Sequence, residues 1–182
     1  MDVENVVKID GNSDNSFVCK RCGFDQRKSF TPLTDELKKS YFRAALSQTP
    51  FRHTYDAFGG MLKVTFEEAT GKLLQMQEHV MVKRNENGDI AMSDAMDFAL
   101  LPSLVSIVHH FDEDATEKVV YEATTEQREE ALKSGELPEA LAQMPIVQLQ
   151  TIRNLFAEFA KVCADLVVAS QDENFWKGVG RN

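Results

Sequence analysis

Cys19-Lys20-Arg21-Cys22-Gly23 is the stretch whose residue types and spacing point most directly at a chemistry. Two thiolates three residues apart can grip one metal ion from a tight turn, and a glycine after the second ligand lets the backbone reverse. Lys20 and Arg21 favour the thiolate form of their neighbours. A closed zinc site takes four ligands. The other donors in the chain are Cys163, His53, His79, His109 and His110, none at a paired spacing that completes a known pattern. Three readings stand side by side. Cys19 and Cys22 hold zinc or iron, with the remaining ligands from this chain or a second one. They form a metal-free turn packed on Phe17 and Phe24, the relic of a fuller site. Or they are a redox dithiol, although the motif does not open a helix as thioredoxin-type sites do.

Other chemistry is harder to find. Gly59-Gly60 precedes a strand pattern, where a phosphate loop would follow one. No Ser sits in a nucleophile elbow, and no His-Glu-x-x-His ladder is present. Glu67 and Glu68 are adjacent carboxylates at a strand end, a placement that usually faces water. His109 and His110, if helical, point about 100° apart and do not chelate one ion easily; they read as helix-end histidines suited to the C-terminal dipole. The expectation is that the protein is not an enzyme.

Composition narrows the partners. The 182-residue chain carries a formal net charge of −9, so attraction to nucleic-acid phosphates or anionic membranes is not expected. Apolar runs fall short of the roughly 18 residues of a membrane span. The start, MDVENVVKIDG, lacks a signal-peptide pattern, which predicts a reducing cytosol. With 43% hydrophobic residues, one core domain plus an appendage is expected.

The elements that must position these residues follow from periodicity. Residues 1–30 read as an arm bearing the Cys-x-x-Cys knuckle, with Phe17-Val18 and Phe24 as short strands of a hairpin. Residues 31–182 read as a helical α+β domain. Thr34 is an N-cap with Asp35 and Glu36 in the first turn, and Leu37, Tyr41 and Ala45 line the helix. Phe51, Tyr55 and Phe58 suggest one or two helical turns. Met61–Phe66 alternates as a strand, and Thr70–Val82 is helical. Asn85 to Asp89 reads as an exposed turn. From Met96 to Val108 the chain is apolar and reads as a helix kinked or broken at Pro102. Val119 to Tyr121 adds a short strand, and Thr124-Thr125 caps a polar helix ending at Ser134-Gly135. The longest pattern is Ile146–Ala169. Leu149, Ile152, Phe156, Phe159, Cys163 and Leu166 share one face, with Arg153, Glu158, Lys161 and Asp165 opposite. Such a helix runs about 36 Å. The tail, with Phe175-Trp176 beside glycines, reads as a docking plug for a partner or a fold-back onto the parent domain. The fold class expected is therefore α+β and predominantly helical, with a short N-terminal β-hairpin knuckle, a few short strands and a long C-terminal helix.

The layout resembles a known group. A cysteine knuckle precedes LTDELKKSYFRAAL and TPFRHTYDAFGGMLKVTFEEAT, and a mostly helical half ends in Phe-Trp-Lys-Gly. This is similar to small acidic tail and baseplate-hub proteins of large tailed bacteriophages. The resemblance implies a non-catalytic structural or assembly protein that binds other phage structural proteins, in the virion or in the host cytoplasm during assembly. In some related proteins the cysteine motif is complete; here Cys19 and Cys22 alone match it. Partner contacts are expected at Phe17, Phe24, Phe175 and Trp176, with a homo-oligomer as a further arrangement and neither nucleic acid nor membrane as partner. The rival expectation is a zinc-binding regulatory protein that uses Cys19 and Cys22 as half of a dimeric metal site.

Overall fold

Alternation of inward apolar and outward polar residues builds the centre of this molecule. The computed structural model describes residues 33–87, 97–111, 116–172 and 175. The expectations for the knuckle hairpin, for Phe17, Cys19, Cys22 and Phe24, and for Trp176 lie outside them. The elements run α1 (Asp35–Ser47), β1 (Arg52–Ala57), a 3-10 turn at Phe58–Gly60, β2 (Leu62–Glu67), α2 (Gly71–Asn87), β3 (Leu104–Phe111), β4 (Thr116–Glu122), α3 (Thr125–Ser134), α4 (Glu139–Ala142) and α5 (Ile146–Ala169). Residues 97–100 add a helical turn before β3.

The strands form one antiparallel meander in the order β1-β2-β3-β4. Tyr55, Val64, Ile107 and Tyr121 sit opposite one another across all four strands, and all four are buried. The alternate residues face the other way. There the Thr54 and Thr65 hydroxyls meet at 2.9 Å, and Lys63 reaches Glu117 across β3 at 3.3 Å. Register shifts at Thr65/Phe66 and at Ile107/Val108 mark bulges, which sharpen the local twist.

Helix α5 lies over the inward face of β1 and β2. Phe159 stacks on Phe66 at 5.6 Å and on Phe51 at 6.1 Å, while Tyr41 from α1 meets Phe51 edge-on at 5.7 Å. Burying each such side chain contributes about 1.5–3 kcal/mol, so this aromatic stack fastens α1 and α5 to the sheet. Leu149, Ile152, Phe159, Val162 and Leu166 are buried from α5, with Phe156 and Cys163 packed at the margin. Thr34 caps α1 through the Leu37 amide, and Thr124 caps α3 in a reciprocal box with Gln127.

The expected fold class is corrected by this sheet. In place of a few short strands beside a predominantly helical domain, strands of 6, 6, 8 and 7 residues form one continuous four-stranded sheet at the centre. Two helical assignments give way to strands. Arg52–Ala57 is extended: i and i+4 fall on one face in a helix and also in a strand, so Phe51 and Tyr55 do not separate the two. The deciding pattern is inward His53, Tyr55 and Ala57 against exposed Arg52, Thr54 and Asp56. At Pro102 the helix stops, and the β-branched run Val105, Ile107 and Val108 continues as β3. His109 and His110 therefore lie on that strand and not at a helix end. Helix α2 also continues to Asn87, through part of the expected turn.

Candidate functional site

Two chain reversals meet at one end of the sheet and leave large apolar side chains in solvent. The first is the β1–β2 hairpin, closed by the Ala57–Leu62 pair. Its turn takes three successive left-handed residues, Phe58 at φ 51°, Gly59 at 70° and Gly60 at 94°. Open space surrounds both glycines, so the positive φ and not crowding is what favours them. Phenylalanine in that region is strained, and strain of this kind clusters at working surfaces. The Met61 carbonyl accepts the His110 amide at 2.8 Å, which ties the tip to β3. The second reversal is the start of α5. Pro145 precedes Ile146 and Val147, and its carbonyl accepts the Gln148 amide at 2.9 Å.

Between them lies a groove of 390 Å³ lined by Phe58, Met61, Leu62, His109, Pro145 and Val147, and also by His110 and Gln148. Phe58 is 42% exposed, Met61 50% and Val147 65%; Ile146, next in the chain, is 65% exposed. Among the described residues the titratable groups lining it are His109 and His110. His110 Nδ1 stands 3.2 Å from Glu117 Oε1 on the neighbouring strand.

The buried charges lie elsewhere and hold elements together. Glu67 ends β2 with its carboxylate divided between two arginines: one oxygen takes the Arg128 guanidinium from α3, the other takes Arg52 at 2.6 Å. Arg128 also donates to the Pro102 carbonyl at 2.9 Å and to the Thr125 hydroxyl at 3.2 Å. Burial by itself would raise the Glu67 pKa. The hydrogen bonds and charges of Arg128 and Arg52 outweigh it and hold the carboxyl below the ordinary carboxylate range. Arg153 of α5 grips Asp97 with two bonds of 2.7 and 2.8 Å. Both pairs contradict the expectation that Glu67 and Arg153 face water.

Burial pushes the Cys163 thiol up to about 12, with Glu68 adding to the effect, so it is a protonated thiol at neutral pH. Tyr121 is likewise pushed up to about 12 by burial, against an opposing pull from Arg128. His53 is lowered by burial between Phe51 and Tyr55, whose rings lie 6.4 and 4.6 Å away. Among the described residues no three His, Cys, Asp or Glu side chains converge to hold a metal ion, so Cys163, His53, His109 and His110 make no such cluster there. No helix among the described residues is long and apolar enough to cross a membrane.

Of the expected contact residues, Phe175 is described: it packs half-buried against the core. The groove residues Met61 and Val147, and Ile146 beside them, were not singled out by sequence reasoning, and Phe58, expected with Phe51 and Tyr55 as a helical core aromatic, stands exposed in the turn instead. The signal that could have found them is a Gly-Gly turn flanked on both sides by large apolar residues, and a helix that opens on two β-branched residues outside its own buried stripe. No family model matches the chain, and no curated protein or solved structure matches it.

Proposed function

We propose that this protein is a non-catalytic adaptor that docks other proteins on the groove between the β1–β2 turn and the start of α5. The observation that carries this reading is the exposure of Phe58, Met61 and Val147 around one groove, with Ile146 beside them. Single exposed apolar residues are ordinary, but a contiguous patch rimmed by polar residues marks an interaction surface. Strain at Phe58 supports the same reading, because left-handed backbone at a bulky residue clusters at working surfaces. Following the layout resemblance, the partners we propose are tail or baseplate components of a large phage.

The test is co-purification of the full chain with tail and baseplate proteins, comparing the wild type with Met61→Glu and Val147→Glu. The reading expects stoichiometric recovery with the wild type and loss with both variants at unchanged melting temperature. Equal recovery by the variants, or turnover of a small substrate, would overturn it. The alternative, a zinc-binding regulatory protein built on Cys19 and Cys22, predicts stoichiometric zinc that is lost together with dimerisation in Cys19→Ser.

A further inference from the structure

A second groove, away from the apolar one, runs along the last strand of the sheet. β4 ends the strand order among the described residues. Beside its final residues, α3 and the loop after it form the opposite wall of a 540 Å³ groove. Val120, Ala131 and Leu137 make its apolar floor, and Glu122, Glu130 and Glu136 stand along it, all three exposed. Among the described residues these glutamates are the charged groups that line it.

The strand itself contributes backbone. Neighbouring residues of a strand direct their N–H and C=O groups to opposite sides. Ala123 donates to the Val105 carbonyl at 2.9 Å, toward β3. Glu122, which lines the groove, therefore directs its own backbone groups away from β3, on the side of β4 that no described strand covers. Val120 is the extra residue of the β4 bulge, since Ile107 pairs with Tyr121 and Val108 with Val119. A bulge usually blocks pairing along an edge. Here it lies at the start of the groove, and just beyond it, among the described residues, the Glu122 amide makes no backbone bond outside the sheet, with a helix wall alongside.

We propose that this groove takes an extended, Lys- or Arg-bearing segment of a partner protein as an added strand. An edge strand facing a helix across a groove suits strand addition, in which main-chain bonds hold the segment and side pockets select it. The three glutamates set the sign: an acidic segment is repelled, and a basic one is drawn in. The site is independent of the docking groove proposed above, and either can fail alone.

The probe is an eight-residue capped peptide of alternating Lys and Val, titrated into the full chain and followed by calorimetry and amide exchange. Expected are saturable binding, slowed exchange at the Glu122 amide, and a loss of about tenfold or more when Glu130→Lys and Glu136→Lys are combined. The same peptide with alternate backbone nitrogens methylated binds at least about tenfold more weakly, because it cannot complete the ladder. A control reversal on α2, Glu78→Lys, leaves affinity unchanged. The proposal is overturned if the wild type does not bind, if Glu78→Lys weakens binding as much as the groove variants, or if methylation has no effect.

Discussion

Glu67 and Arg128 are separated by 61 residues in sequence, yet each is almost wholly buried against the other. Removing one partner of such a pair leaves an uncompensated charge, which costs about 3–5 kcal/mol, whereas replacing both with apolar residues of similar volume is close to neutral. Glu67→Leu, which strips buried Arg128 of its carboxylate, should therefore destabilise strongly, and Glu67→Leu with Arg128→Met far less, as read by urea unfolding. The pH dependence has a definite sign. The folded pKa of Glu67 lies below its ordinary 4.5, so its contribution is complete above that value and is lost as pH falls through the depressed one. His53 acts in the same direction through a different route. Its folded pKa lies below 6.5, so the unfolded chain takes up the proton first and stability falls as pH drops below 6.5. His53→Phe should flatten the stability curve between pH 7 and 5, and Glu67→Gln the portion around and below 4.5. Neither pairing was legible in the sequence. A charged residue reads as water-facing until its partner is known, and the partners of Glu67 and Arg153 lie 61 and 56 residues away.

At the scale of elements, the helix ends were legible because capping is local. Thr34 and Thr124 bond amides three residues ahead, and Gly135 closes α3 in the left-handed region. Thr124→Ala should cost about 1 kcal/mol by removing one half of the box. Gln48 follows α1 with φ 54°, a position better suited to glycine. Gln48→Gly should raise stability by roughly 1 kcal/mol in thermal unfolding. The strands were less legible. Met61–Phe66 alternates plainly, but the aromatic spacing of Phe51 and Tyr55 fits either period. The apolar run through Leu104 to Val108 shows no clear alternation, because apolar residues stand on both faces of the strand: Leu104 and Ile107 are buried, and Val105 and Val108 half-buried. For such a run, β-branching and the proline before it are the better guide.

For the whole molecule, helix α5 covers the inward face of β1 and β2, while the β1–β2 turn and the first turn of α5 leave apolar side chains exposed. The helix that best announced itself in the sequence thus does two jobs: its middle closes the core and its first turn supplies Val147 to the groove, with exposed Ile146 next to it in the chain. The core role follows from the 3.6-residue stripe. The surface role does not, because it depends on where the sheet stops, which no local pattern encodes. Anchors in such grooves are worth about 2 kcal/mol or more each, which is roughly thirtyfold in affinity. The central claim, that this groove is the docking surface, is tested most directly by titrating a co-purifying tail or baseplate protein against the Met61→Glu, Val147→Glu double variant. Affinity reduced at least about thirtyfold, with the melting temperature of the wild type retained, is the predicted result; wild-type affinity in that variant would contradict the account.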